Sequence, residues 1–159
     1  MPPGFSIRRY RPSDAADLAR IFEHSVKGLA SRHYTAGQVA AWLSDAPDEN
    51  SIAEENEDGQ VFLAVTQDDH AVAYIDLEPD GHIDMLFCLP EFAGRGIGSA
   101  LCREAELAAR EASLQRLFVE ASESAKPAFE RNGFRIVARN DFEINSVAIH
   151  NYRMEKFLR

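Results

Sequence analysis

Cysteine is nearly absent: Cys88 and Cys102 are the two in 159 residues, which excludes a disulfide framework and a CxxC redox pair. Basic charge is scarce too. Lys and Arg total 17 against 26 Asp and Glu, for a net charge of −9 and a pI near 5.0, so neither nucleic acid nor an anionic membrane surface is expected as a partner. No apolar run approaches the roughly 18 residues of a membrane span, and Met1-Pro2-Pro3-Gly4 is not followed by the apolar core of a signal peptide. His24, His33, His70, His82 and His150 show no metal-ligand spacing and no Cys/His cluster, so no metal is expected. A G-x-S-x-G elbow is also missing. What remains is 45% hydrophobic, with a mean hydropathy of −0.30, the composition of a globular protein. A chain of this length buries roughly 68–70% of its unfolded surface, and residues 1–159 are expected to form a single cytoplasmic domain, as a monomer or homodimer.

Residues 5–10 alternate as a half-buried strand, and Pro12-Ser13-Asp14 starts a helix whose apolar face is Leu18, Ile21, Phe22, Val26 and Leu29. Thr35-Ala36-Gly37-Gln38 has capping-box form ahead of Val39, Trp42 and Leu43, a short second helix. Ser31-Arg32-His33-Tyr34 lies between the helices as a polar and aromatic hinge. Residues 45–58 carry seven acidic side chains and no basic one, either a solvated surface or an acidic lip that draws a cationic substrate. Gln60–Thr66, Ala71–Leu77 and residues 82–88 read as an antiparallel meander with turns at Asp68-Asp69-His70 and Pro79-Asp80-Gly81. A helix with Ile97, Leu101, Ala105 and Ala108 on one face follows, then a strand over 117–119 whose spacing favours a parallel pair with a right-handed crossover. Residues 125–131 form a short helix ended by Asn132-Gly133, and 134–137 and 146–154 are the last strands. The expected class is α/β, a twisted mixed sheet flanked by helices.

Gly94-Arg95-Gly96-Ile97-Gly98 is the most informative stretch. Three glycines at alternate positions ahead of an amphipathic helix leave backbone N–H groups bare for a phosphate, unless the turn merely needs positive φ angles. A Walker loop would need a Lys-Ser/Thr that is absent, and a dinucleotide G-x-G-x-x-G would need glycine at Ser99. Glu120 at the next strand end fits a ribose-binding acid, but Pro90 and several residues separate the strand from the glycines, and three strands precede the unit.

The run from Leu86 through Cys88, Pro90, Ala93, Gly94, Arg95, Gly96, Ile97, Gly98 and Ser99 to Leu101 resembles the acetyl-CoA motif of the GNAT acyltransferases, Q/R-x-x-G-x-G/A after a strand ending V-x-P. Residues 125–134 resemble the second signature of that superfamily, A-x-x-F-Y-x-x-x-G-F. Ser31 to Tyr34, Ile83-Asp84-Met85-Leu86-Phe87 and 125–134 are similar to the bacterial YafP-like subgroup. The resemblance spans essentially the whole chain and implies an N-acetyltransferase with acetyl-CoA as cosubstrate and a small amine or peptide amine as acceptor. Two positions depart from it. Ala93 stands where Gln or Arg is usual, and Phe129 where many members have the tyrosine that protonates the departing thiolate.

The resemblance further implies that residues 82–88 splay from 117–120, so that the pantetheine arm enters the gap as another strand. Leu86, Phe87 and Cys88 would line it, with the Cys88 N–H polarising the thioester carbonyl. Residues 94–99 would hold the pyrophosphate; Ser122 matches the family's Asn, Lys126 and Arg131 would reach phosphate, and Phe129 would pack on the arm. A base must take the amine's proton. His82 and Asp84 share a strand face and are the candidates, with Tyr152 the substitute acid and His33, Tyr34 and Trp42 walling the acceptor pocket. A Cys88–His82 thiol pair fails, since six strand residues at about 3.3 Å each separate them. The rival readings are an acyl-CoA-binding sensor or interaction module without turnover and a dinucleotide-binding oxidoreductase.

Overall fold

A computed structural model describes residues 1–44 and 60–158; the acidic stretch lies outside them. Strand β1 (Phe5–Arg9) leads through a 3-10 turn into α1 (Ala15–Gly28), and α2 (Ala36–Ser44) follows after a second 3-10 turn. Strands β2 (Gln60–Thr66), β3 (Ala71–Leu77), β4 (His82–Ile83) and β5 (Leu86–Cys88) precede α3 (Ile97–Glu111). Then come β6 (Arg116–Ala121), α4 (Lys126–Arg131), β7 (Arg135–Ile144) and β8 (Val147–Phe157).

Two four-stranded ladders result, ordered β1-β2-β3-β5 and β4-β6-β8-β7. All pairs are antiparallel except β4 with β6, where His82 faces Phe118 and Ile83 faces Val119 in parallel. That is the expected parallel pair. One strand over residues 82–88 was expected, and two short ones are found: the chain leaves β6 after Ile83 and continues only along β3. The physical reason is the carboxylate of Asp76, which accepts the N–H groups of Asp84 at 2.9 Å and Met85 at 2.7 Å, taking both out of the ordinary ladder.

The expected apolar faces of α1 and α3 are largely buried, while Leu29, just past the end of α1, and Val39, Trp42 and Leu43 of α2 are half-buried. Leu18, Ile21, Phe22 and Val26 of α1 and Ile97, Leu101, Ala105 and Ala108 of α3 are buried. α3 packs with β2 and β3 in one core with Leu63, Tyr74 and Ile75, each of them fully buried; a side chain of the Val, Leu, Ile or Phe class contributes about 1.5–3 kcal/mol in such a place. Gly81 closes the turn between β3 and β4 at φ +96°, and a Cβ there would collide with the Arg116 carbonyl oxygen, so this glycine lets β4 lie against β6. The capping box at Thr35 and Gln38 forms as expected, at 2.9 and 3.1 Å.

The β7–β8 hairpin extends beyond both expected strands. Its turn residues Asn145 and Ser146 have φ of 49° and 65°, the left-handed pair that a two-residue hairpin turn requires. Residues 138–143 of β7 are mostly exposed and polar, an edge strand whose apolar alternation is confined to its end, where Phe142 and Ile144 are half-buried against the second core cluster.

Candidate functional site

The gap between β5 and β6 opens into a cavity of about 360 Å³, within the range of small-ligand sites. Its walls come from Ser25, Val26, Leu29 and Ala30 near the end of α1, Trp42 of α2, all of β5, Phe92 to Gly98 without Arg95, and Ser122, Ser124, Ala125, Ala128 and Arg131. β5 alternates along its length. The Met85 carbonyl accepts from Asp76 N–H at 3.2 Å and the Leu89 N–H donates to Val72 at 2.8 Å, so residues 85, 87 and 89 direct their backbone groups at β3. The N–H groups of Leu86 and Cys88 therefore face the gap.

Across the gap, Gly94 and Gly96 have φ of +76° and +82°, and a Cβ on either would meet nothing within 4 Å. Their left-handed backbone makes the turn that starts α3, with Gly96 as its N-cap, and the space above it is open. Bare amides and the positive end of a fifteen-residue helix suit an anionic group there. Arg131 lies on this wall, its Nε donating to Ser99 Oγ at 3.3 Å. Arg95 is exposed, with its guanidinium over Phe92 at 5.1 Å. Ser122 Oγ accepts the Ala125 N–H at 3.2 Å. Ser124 was missed in the sequence: its Oγ is buried at the cavity wall with no hydrogen-bond partner. Burial pushes the Cys88 thiol up to about 11, which leaves it a poor nucleophile at neutral pH.

His82 sits where β4 meets β6. Its Nδ1 lies 3.0 Å from Glu78 Oε1 and its Nε2 2.7 Å from Glu120 Oε2, with the ring stacked on Phe118 at 4.9 Å. Burial opposes protonation, but hydrogen bonds and charge from Glu120 and then Glu78 outweigh it and hold the imidazole above 6.5. Asp84 is exposed, and its carboxyl is raised first by desolvation, with His82 opposing and Glu78 and Glu120 reinforcing. Glu78, His82 and Asp84 offer three ligand atoms within 4.8 Å of one another, a proximity that histidine and cysteine spacing did not reveal. Both ring nitrogens of His82 are already within hydrogen-bond distance of carboxylates.

Other expected site residues stand elsewhere. Phe129 is 1% exposed and packs edge-on to Phe134 at 5.0 Å in the core, away from the cavity wall. His33 is exposed beside the second 3-10 turn. Tyr34 is buried and staples three segments: its hydroxyl donates to the His150 carbonyl at 2.9 Å and accepts the Glu123 N–H at 3.0 Å. Tyr152 donates to Glu123 Oε1 at 2.7 Å, and His150 Nε2 reaches the same oxygen at 2.8 Å. Lys126 stands over the Tyr152 ring at 4.5 Å and 4.0 Å from Glu123. The bond to Glu123, then desolvation, raises the Tyr152 phenol above its usual range. Of the expected acceptor wall, Trp42 alone lines the cavity.

A strand pair that parts over a cavity, facing a glycine turn at a helix start, defines the GNAT acetyltransferase class. The sequence matches the family described as acetyltransferase (GNAT) domain over residues 30–156, and the chain belongs to that family of N-acetyltransferases. It is 36% identical over 148 residues, 93% of each chain, to the uncharacterized N-acetyltransferase YafP of Escherichia coli strain K12. The crystal structure of a GCN5-related N-acetyltransferase from Rhodopseudomonas palustris is 33% identical, with a TM-score of 0.89 over 99% of this chain and 98% of that one. The PaiA N-acetyltransferase of Thermoplasma acidophilum in complex with coenzyme A shares the fold at 19% identity, with a TM-score of 0.74 over 97% and 99% of the two chains. Among the described residues, no helix is long and apolar enough to cross a membrane.

Proposed function

We propose that residues 1–159 act as one domain that moves the acetyl group of acetyl-CoA to a primary amine by direct attack in a ternary complex. The observation that carries this is the β5–β6 gap, where two unpaired strand amides and the open glycine turn face one cavity. The residues suit the cosubstrate: the turn leaves room for a pyrophosphate against bare N–H groups, and Ser124, whose Oγ has no hydrogen-bond partner, lines the same cavity. Acetyl-CoA supplies the activated acyl group. The relatives crystallised with coenzyme A or acetyl-CoA support the choice.

In this reading Gly94 to Ser99, with Arg131, bind the phosphates, and Leu86 to Cys88 hold the pantetheine arm as a strand would. The Cys88 N–H polarises the carbonyl, a contact of the kind whose loss costs about 2.7–4 kcal/mol, and the Leu86 N–H, two residues away on the same strand edge, is left for the arm. Asp84 binds the incoming ammonium. The proton passes to His82, and Glu120, at 43% side-chain exposure, links the imidazole to water. No tyrosine stands at Phe129, and a thiolate resembling cysteine, with a pKa of about 8.5, leaves tolerably near neutrality. Solvent protonates it. The test is calorimetry with acetyl-CoA, followed by a screen of small and peptide amines that reads released thiol. No acetyl-CoA binding would overturn the assignment, and binding without turnover by any amine would favour a sensor module.

A further inference from the structure

The break between β4 and β5 has an internal cause. Glu78 N–H donates to the His82 carbonyl at 2.8 Å, and Asp76 N–H to that of Met85 at 3.2 Å. Ile83 and Asp84 thus stand together opposite Leu77 alone, which is a β-bulge. A bulge leaves the added residue's N–H without a ladder partner. Here that N–H, on Asp84, and the neighbouring Met85 N–H both go to Oδ1 of Asp76, at 2.9 and 2.7 Å. Asp76 is 6% exposed in a strand whose seven residues are all buried, and it is not among the residues that line the cavity. Burial pushes its carboxyl up to about 7, against the hydrogen bonds from Met85 and Asp84 and with Asp84 and Glu78 adding to the rise.

We propose that Asp76 is a positioning residue of the acetyl-transfer site, its carboxylate oxygen holding the bulge that aims the Leu86 and Cys88 amides into the gap. The inference rests on the proposed acetyl-CoA reading and adds the device that makes the carbonyl contact possible. Without the side-chain acceptor, two N–H groups, that of Met85 buried, lose their partner, which is costly. Regular pairing relieves them by removing the extra residue from the ladder. A one-residue slip reverses which groups point to which side, so the gap would receive the Phe87 amide in place of those of Leu86 and Cys88. An acceptor oxygen is what this role demands. A charge is not, so Asp76→Asn keeps the function while Asp76→Ala loses it.

The test uses the full chain and acetyl-CoA labelled with ¹³C at the acetyl carbonyl, read by isotope-edited infrared spectroscopy. Binding to the parent and to Asp76→Asn lowers the carbonyl stretching frequency. In Asp76→Ala, acetyl-CoA still binds through the untouched glycine turn, and the frequency returns most of the way to its value in water. An Asp76→Ala complex with the parent's frequency overturns the proposal, as does an Asp76→Asn complex that has lost the shift. Should Asp76→Ala not fold, amide hydrogen exchange in the parent decides together with Asp76→Asn: the Asp84 N–H is protected although its side chain is exposed, and exchange at the rate of an open loop refutes the bond. Failure of acetyl-CoA to bind the parent would instead refute the functional reading and leave the exchange measurement to judge Asp76.

Discussion

Substituting Gly96 by valine separates a binding role from a folding role, because the two are set by different neighbours. With φ at +82° and nothing within 4 Å of the place a Cβ would take, the side chain meets no protein atom. The cost to the fold is backbone strain alone, about 1–2 kcal/mol for an L-residue in the left-handed region. In a domain of this size that lowers Tm by roughly 2–8 °C, at about 2–4 °C per kcal/mol. The isopropyl group fills the space where the pyrophosphate would approach the amides, and acetyl-CoA affinity should fall by at least about tenfold, or 1.4 kcal/mol. Gly81→Ala is the control. Its Cβ runs into the Arg116 carbonyl, and neither residue lines the cavity, so Tm drops further while the folded protein binds acetyl-CoA as the parent does. Ala93→Gly, which removes one methyl from the wall, should leave affinity unchanged. Calorimetry on the three variants checks this, and equal affinities for Gly96→Val and Ala93→Gly would refute the cradle.

Glu120→Gln should move the acid limb of the rate profile to lower pH, because Glu120 is the leading group that raises His82, and His82→Gln should remove that limb. The linked stability has the matching sign: a folded-state value above 6.5 means that the His82 ion pairs stabilise below that pH and are lost as pH rises through the raised value, which urea titrations at several pH values would read. Asp84→Asn should lower turnover while leaving acetyl-CoA affinity nearly unchanged; a parallel loss of both would put Asp84 outside the acceptor side. Phe129→Ala, in the core and 1% exposed, should cost about 3–5 kcal/mol of stability in denaturant titrations, whereas Phe129→Tyr should leave turnover within a few-fold. Tyr152→Phe should change turnover by less than about tenfold, or 1.4 kcal/mol; a hundredfold loss at unchanged acetyl-CoA affinity would show that the acid had moved to β8.

Much of the fold was legible because its main helices are amphipathic and its central strands are continuous apolar runs. Leu18, Ile21, Phe22 and Val26 repeat at helical spacing and all are buried, and the glycines of the 94–98 turn announce their positive φ. The edge strand was legible only at its start, since Ala138-Arg139-Asn140-Asp141 has no large apolar side chain and alternation resumes only with the half-buried Phe142 and Ile144. The strand break at Asp84 was invisible for a different reason. His82-Ile83-Asp84-Met85 alternates polar and apolar as an unbroken strand would, and the bulge appears only when the β3 partner is known.

The site residues that escaped act through partners that only the strand pairing brings to them, whether a few residues away across the β3–β4 turn or several strands on. Glu78 and Glu120 matter because β4 carries His82 between them, and Glu123 because β8 brings His150 and Tyr152 to one of its oxygens. Asp76 had a signal, a carboxylate inside the apolar run Ala71–Leu77, where an acid is expensive unless hydrogen-bonded. The same reasoning accounts for the departure at Phe129. With its ring against Phe134 inside the core, a hydroxyl at that position would add a polar group to an apolar contact rather than an acid to the gap. Tyr152, whose phenol already donates to Glu123 and is raised by that bond, gives up its proton less readily than a free tyrosine. In the proposed reading neither residue is the acid, and solvent is left to protonate the leaving thiolate, which is what the Tyr152→Phe measurement tests.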